Sequence, residues 1–171
     1  DGLVASRHLK LWGYSPTVYY PKRPQKDIYV RLLTQLKDLV VHQAYEWNYI
    51  KQEHAKNRFS VVLDSLFGFS FKPPIRQPFD EVLLDLAKFD APIALVDVPS
   101  GWDVDDGPIL ETSINPSVLI SLTAPKPCAS KLSPDAAHYL GGRFINNSIA
   151  EKYGIEEIIS LYEKDDMVVK L

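Results

Sequence analysis

Two aspartates stand where an apolar stretch of the chain gives way to a turn, and each could place a carboxylate where chemistry occurs. Asp97 ends the segment IALVD and precedes a Val-Pro-Ser-Gly turn, while Asp64 ends FSVVLD and precedes SLFGFS. An isolated buried carboxylate is expensive, so each aspartate must reach water or a partner at the end of its segment. A carboxylate placed there can move a proton or stabilise a developing positive charge.

Each carboxylate also has a structural interpretation. An aspartate at the end of a strand often forms a turn or caps the next helix. Asp64 and Asp97 are both followed by turns that contain serine and glycine, and the pair therefore favours a ligand site more than either residue alone.

Other chemistry-bearing patterns are weak or absent from the sequence. Ser100 has no histidine near it in sequence and stands in no G-x-S-x-G elbow, which argues against a hydrolytic nucleophile. The three-glycine dinucleotide fingerprint is absent, and no Cys/His spacing resembles a zinc site. We expect Lys126 in TAPKP to be a solvated charge and His138 to be structural.

The amino-acid composition limits the classes of protein to which this chain can belong. The chain has 171 residues, of which 46% are hydrophobic, and this is enough to bury one sizeable core. Its 19 basic and 22 acidic residues give a net charge of -3, so no electrostatic footprint for nucleic acid or an anionic membrane is present. A single cysteine excludes an internal disulfide framework. No apolar run is long enough to predict a transmembrane helix.

Apolar periodicity predicts the elements that must position the aspartates. Apolar stripes at helical spacing predict helices, and short continuous apolar runs predict buried strands. The predicted helices are 1–14, 27–41 and 78–89, and the predicted strands are 16–21, 59–64, 93–97 and 118–122. The tract 43–57 is aromatic and charged without clean periodicity, which fits either a surface helix or an irregular excursion.

Helices that alternate with apolar strands predict an α/β fold with a mostly parallel sheet covered on both faces. Ligands of such sheets bind beyond the carboxyl ends of the strands, where Asp64, Asp97 and Thr123 should share one rim. The interval from Asp64 to Asp97 matches one βαβ unit of about 30 residues, so their strands should be neighbours or nearly so.

The ends of the chain carry two further expectations. A parallel sheet normally opens with a strand, whereas this chain opens on a predicted helix at an Asp-Gly step. We therefore expect a single domain over 1–171 that lacks its first strand and N-terminal helices. The C-terminal tail, 154–171, has no predicted structure.

Five blocks of the sequence occur in a characteristic order: DGLVASRHLKLWGYSPTVYYPKRP, LDSLFGFSFK, VDVPSGWDVDDG, LISLTAPKPCA and HYLGGRF. Together they resemble the NAD(P)H-hydrate epimerase family, whose catalytic unit is the YjeF N-terminal domain. The resemblance covers most of residues 1–153 and implies a Rossmann-like three-layer sandwich. It also implies an isomerase that interconverts the R and S epimers of hydrated NADH and NADPH, in nicotinamide nucleotide repair.

The resemblance also implies roles for individual residues. Asp1 corresponds to the aspartate of a substrate-binding N-N-G-G-D loop, and Asp97 to a substrate contact near the reacting ring. Asp64 and Ser100 correspond to ligands of a potassium ion. A second substrate-binding loop corresponds to Gly68, Phe69, Ser70, Phe71, Lys72, Pro73 and Pro74.

This chain departs from the family pattern at two places. The asparagines and glycines that precede the loop aspartate are absent before Asp1, and with them one potassium ligand and several phosphate-binding amides. Pro73 and Pro74 replace a common Gly-acidic pair, which removes two more N–H donors.

Elementary chemistry is consistent with this assignment. Inverting the hydroxylated carbon of a hydrated nicotinamide requires the C–O bond to break and re-form through a cationic or ring-opened species. Asp97 is the predicted catalytic residue, because a carboxylate can both shuttle the proton and stabilise the positive charge. Oxygen ligands from Asp64 and Ser100 suit an alkali cation better than zinc or copper.

Two other functions stay open at this stage. YjeF N-terminal domains are similar to dimerisation scaffolds of mRNA-decapping enhancers, which need no catalytic carboxylates, and the retained Asp1, Asp64 and Asp97 argue against that class. The vertebrate members, known as apolipoprotein A-I binding proteins, imply an apolipoprotein partner. The resemblance further implies a homodimer and a mitochondrial, cytoplasmic or secreted location.

Overall fold

The computed structural model describes residues 1–72, 74–109 and 113–171. The described residues form two compact units, Asp1–Ser60 and Val61–Leu171. None of the helices in these described ranges is long and apolar enough to cross a membrane.

The first unit is a βαβ arrangement preceded and followed by a helix. Strands β1 and β2 pair in parallel, with Val18 opposite Gln43, and the helix between them lays Leu36 into the core beside Leu3 and Val41. The elements are α1 (Gly2–Leu11), β1 (Thr17–Tyr19), α2 (Asp27–Asp38), β2 (His42–Ala44) and α3 (Trp47–Ala55).

The sequence leaves the tract 43–57 open between a surface helix and an irregular excursion. In the structure it contains the end of β2 and helix α3. Ile50 is buried on α3, and the Trp47 ring lies 5.2 Å from the Tyr19 ring of β1. The helix predicted over 27–41 ends earlier, at Asp38, because the chain adopts a φ of +56° at the exposed Val40.

The second unit is built on a five-stranded sheet of order β3-β4-β7-β8-β9. The first four strands run parallel and β9 pairs antiparallel with β8. Its strands are β3 (Val62–Asp64), β4 (Ile93–Val96), the hairpin β5 (Trp102–Asp103) and β6 (Gly107–Pro108), β7 (Val118–Leu122), β8 (Ala137–Gly141) and β9 (Val168–Lys170). Its helices are α4 (Phe79–Leu86), a 3₁₀ turn (Pro127–Lys131), α5 (Asn147–Tyr153) and α6 (Glu156–Ser160).

The predicted α/β class with a mostly parallel sheet is confirmed. Leu95, Leu119 and Leu140 on three adjacent strands have no solvent exposure, as expected for parallel strands covered on both faces. Helix α4 buries Val82 and Leu86, the apolar face that its sequence predicts.

Strand β8 and the C-terminal segment hold structure that the sequence pattern does not predict. His138 of β8 lies 2.9 Å from the hydroxyl of the fully buried Ser121, Nε2 to Oγ. Burial lowers the pKa of His138, which is consistent with the expected structural role. Residues 154–171 contribute α6 and β9.

Candidate active site

Three parallel strands of the second unit end at one edge of the sheet, each on a polar residue. Strands β3, β4 and β7 are adjacent, with Asp64 opposite Leu95 and Val96 opposite Ile120. Asp64 closes β3, and Asp97 and Thr123 directly follow β4 and β7. The prediction that these three positions share one rim is therefore confirmed.

Asp64 and Ser100 form a buried hydrogen-bonded pair that joins two turns. The Ser100 hydroxyl donates to Asp64 Oδ1 at 2.8 Å, and the Ser100 amide donates to Oδ2 at 3.1 Å. From the loop after β3, the amide of Leu66 donates to Asp64 Oδ1 at 3.0 Å, and that of Phe67 donates to Ser100 Oγ at 3.0 Å. We call these four residues the Asp64 hub. It ties the loop after β3 to the turn after β4.

The Asp64 carboxylate is held away from water, and the part of the chain that the structure describes gives it no positive partner. Asp64 and Ser100 are 4% and 1% exposed, and no cationic side chain among the described residues pairs with Asp64. Burial raises the pKa of Asp64, while the hydrogen bonds from Leu66 and Ser100 oppose that rise. A site of this kind favours a cation beside the carboxylate.

Asp97 takes a backbone conformation that turns its side chain into the rim. Its amide donates to the Ile120 carbonyl at 2.8 Å and so continues the β4–β7 ladder. Its φ is then +72°, a left-handed value that aspartate and asparagine accept more readily than most residues. Asp97 is only 8% exposed.

The two oxygens of the Asp97 carboxylate differ in their surroundings. Oδ1 forms an ion pair with the Lys126 ammonium and accepts a hydrogen bond from the Leu122 amide at 3.3 Å. Oδ2 accepts no hydrogen bond from the described residues and points toward Gly68, where an added Cβ would lie 3.7 Å away. Oδ2 is thus the oxygen available to a ligand.

The expectation that Lys126 is a solvated charge is wrong. Its side chain is 18% exposed, and the ammonium donates to Asp97 and, at 2.7 Å, to the Leu122 carbonyl. Lys126 stands four residues beyond β7, so the adjacency of β4 and β7 brings it to Asp97. Its position just past a strand end at the same rim was the signal available in the sequence.

The predicted substrate loop adjoins Asp97 through Gly68. The Phe71 amide donates to the Gly68 carbonyl at 2.9 Å and closes a turn, and the Phe71 ring stacks on Phe67 with centroids 4.7 Å apart. The tip is open to solvent, with Phe69 67% exposed. Ser70, Lys72 and Pro74 are also exposed, and Pro73 lies outside the described residues.

Asp1 belongs to the first unit, where it precedes α1 as an exposed N-cap residue whose side chain makes no capping hydrogen bond. The second unit brings together Asp64, Asp97, Ser100 and Gly68. Their roles toward a substrate or an ion stay predictions.

Comparison with known protein families identifies the family of this chain. Residues 1–128 match the family described as YjeF-related protein N-terminus. This chain belongs to that family. Every residue of the described rim, from the Asp64 hub to Lys126, falls inside the span that matches the YjeF-related family.

Whole-chain comparisons extend the similarity beyond residue 128. The YjeF-related chain is 52% identical over 180 residues to an NAD(P)H-hydrate epimerase of Candida albicans, covering 100% of this chain and 70% of that protein. It is 47% identical over 177 residues to an NAD(P)H-hydrate epimerase of Saccharomyces cerevisiae, covering 100% and 71%.

A solved structure shares the fold. A crystal structure of the yeast protein ynu0 matches with a TM-score of 0.93 and 45% identity, covering 100% of this YjeF-related chain and 72% of that one. The mostly parallel α/β architecture is therefore that of a solved relative.

Proposed function

We propose that this protein is an NAD(P)H-hydrate epimerase, an isomerase that interconverts the R and S epimers of hydrated NADH and NADPH. The observation that carries the proposal is the identity of about half of all residues, along the whole chain, to proteins of that name in two yeasts. The carboxylate at the rim supplies a group that the reaction needs.

Asp97 is the proposed catalytic residue. Breaking and re-forming the C–O bond at the hydrated carbon requires a proton to reach and leave the departing hydroxyl, and it creates positive charge on the ring. Asp97 Oδ2 is free of hydrogen bonds from the described residues and faces the Gly68 loop. It can exchange that proton and stabilise that charge in a site sheltered from water.

The loop from Gly68 to Pro74, including Pro73, and Asp1 are proposed to bind the remainder of the substrate. The position of Gly68 supports this proposal for the start of the loop, because a side chain there would begin 3.7 Å from Asp97 Oδ2. The exposed Phe69 offers an aromatic face to a nucleotide ring.

The activity is tested by supplying each purified epimer of hydrated NADH and separating the two epimers by chromatography over time. We expect both starting epimers to approach the same equilibrium mixture much faster than in a sample without protein. Equal rates with and without protein would contradict the proposed function.

We expect the enzyme to act on hydrated NADH and hydrated NADPH with kcat/KM values within about 100-fold of each other, roughly 2.7 kcal/mol. The two substrates differ by a 2′-phosphate, and in the described ranges we find no cluster of Arg and Lys at the rim for such a group, since Lys126 is paired with Asp97. Parallel rate measurements on the two hydrates check this, and a larger preference for either one would refute it.

Potassium is the proposed cofactor, with Asp64 and Ser100 as ligands. The donor set fits, because both residues offer hard oxygens and Asp64 has no cationic partner among the described residues. Its carboxylate accepts three hydrogen bonds and retains a lone pair on Oδ2. The Ser100 hydroxyl accepts one bond and donates one, which leaves its second lone pair for an ion. The ion would neutralise the buried charge.

We expect potassium to stabilise the fold, and to do so more at neutral than at acidic pH. Burial raises the pKa of Asp64, so its contribution to stability is complete below the unfolded pKa and is lost as pH rises through the folded pKa. Potassium binds the ionised carboxylate and offsets that loss. At ten times Kd the gain is about 1.4 kcal/mol, equivalent to roughly 3–6 °C in Tm.

The measurement compares Tm in potassium chloride with Tm in tetramethylammonium chloride at equal ionic strength, because the organic cation is too large for two adjacent oxygen ligands. The difference should shrink as the pH falls through the pKa of Asp64. Equal Tm values in both salts at neutral pH would exclude the cation site.

The scaffold alternative does not require an ion-paired carboxylate with a free oxygen at the rim, and the geometry of Asp97 therefore favours the enzyme. A homodimer, an apolipoprotein partner and a mitochondrial location stay predictions of the sequence resemblance.

A further inference from the structure

We propose that Lys126 is a positioning residue for the reaction. It balances the charge of Asp97 and fixes which carboxylate oxygen faces the substrate. This inference rests on the proposed epimerase function and assigns a role to a side chain that the sequence pattern treats as a solvated charge.

Two of the three N–H donors of the Lys126 ammonium are engaged at the rim. Its ammonium donates to Asp97 Oδ1 and to the Leu122 carbonyl at 2.7 Å. The Leu122 amide donates to the same Oδ1 at 3.3 Å. The last residue of β7 and the loop beyond it thus both donate to one oxygen of Asp97.

The two hydrogen bonds to Oδ1 also restrict the direction in which Oδ2 points. With Oδ1 held by two donors, rotation of the carboxylate is restricted and Oδ2 stays directed toward Gly68. A catalytic group gains much of its effect from being held in the geometry that reaction requires.

The other titratable groups around Asp97 do not replace this cation. Asp64 on the adjacent strand is turned to its own hub with Ser100. Cys128 lies within electrostatic reach of the pair, because Asp97 and Lys126 both act on its thiol, whose pKa is raised mainly by burial. Asp103 acts on the same thiol. Among the described residues, Lys126 is the one positive group paired with Asp97.

The test measures kcat and KM separately for epimerisation of hydrated NADH in four proteins: the natural chain, Lys126→Met, Lys126→Arg and the exposed-site control Lys88→Met. Lys126→Met should lower kcat at neutral pH by about 10-fold, within the range that misplacing a catalytic group costs. Its KM should stay near the natural value, because Lys126 acts on Asp97 and not on the substrate. Lys126→Arg should restore part of the lost kcat, and Lys88→Met should match the natural chain.

A double variant separates positioning from a merely structural role. If Lys126 acts through Asp97, the combination of Lys126→Met with Asp97→Asn should be no slower than Asp97→Asn alone. The double variant removes both charges together, so it should fold even where Lys126→Met is unstable.

The outcomes distinguish this inference from the proposed function. An inactive natural chain would refute the epimerase assignment itself. An active natural chain with an unchanged kcat in Lys126→Met, or with additive losses in the double variant, would refute the positioning role alone.

Discussion

Replacing Asp97 with asparagine is expected to lower kcat/KM for epimerisation by about 10²-fold or more, the usual contribution of a positioned acid or base. The amide has nearly the shape of the carboxylate and tolerates the φ of +72°. It cannot carry the proton or the negative charge, so the loss falls on the reaction and not on the backbone. Rates for both epimers, measured beside circular dichroism spectra, give the comparison.

The matched control for this variant is Asp90→Asn, which alters an exposed aspartate before the amino end of β4, at the opposite edge of the sheet. We expect it to leave the rate unchanged. Turnover near the natural rate in Asp97→Asn would make Asp97 a turn former and would leave the chemistry to another group.

Replacing Asp64 with asparagine is expected to produce a loss of a different kind, which potassium partly reverses. Both Asp64 oxygens accept hydrogen bonds, so an NH₂ group on either side faces a donor and leaves it unpaired. One unsatisfied buried donor costs about 1–3 kcal/mol of stability. Loss of the charged ligand should also weaken potassium binding by about 10-fold or more.

The measurement is a potassium titration of the epimerisation rate in three proteins: the natural chain, Asp64→Asn and Asp97→Asn. The Asp64 variant should be slow at low potassium and recover much of its rate as potassium is raised, because its carbonyl oxygen and Ser100 Oγ remain as ligands. The Asp97 variant should stay slow at every concentration. Recovery of both, or of neither, would contradict the division of roles between the two aspartates.

The strands of the sheet that are continuously apolar could be predicted from the sequence. Strands β3, β4 and β7 consist mainly of Val, Leu and Ile, and burial on both faces of a parallel sheet requires that composition. Strand β8 carries histidine, tyrosine and glycine instead. Its polar His138 is accommodated by Ser121 on the neighbouring strand, a tertiary contact that no local pattern reveals.

The positions of the candidate site residues could be predicted from the sequence, but not all of their contacts. Asp64 and Asp97 stand at strand ends and Ser100 lies in the turn after β4, where the rule for parallel sheets directs attention. The partnership of Asp97 with Lys126, 29 residues away in sequence, depends on the adjacency of β4 and β7 and on a left-handed backbone at Asp97. Neither feature is encoded in hydrophobic periodicity.

The Asp64 hub also determines how the rim can open. The amides of Leu66, Phe67 and Ser100 all donate to the same two side chains, so they are expected to exchange their hydrogens with solvent together, as one cooperative unit. We therefore expect the loop after β3 to bend at residues beyond Phe67 and not where it leaves the strand. Motion of the exposed Phe69 tip would therefore leave the Asp64 hub intact.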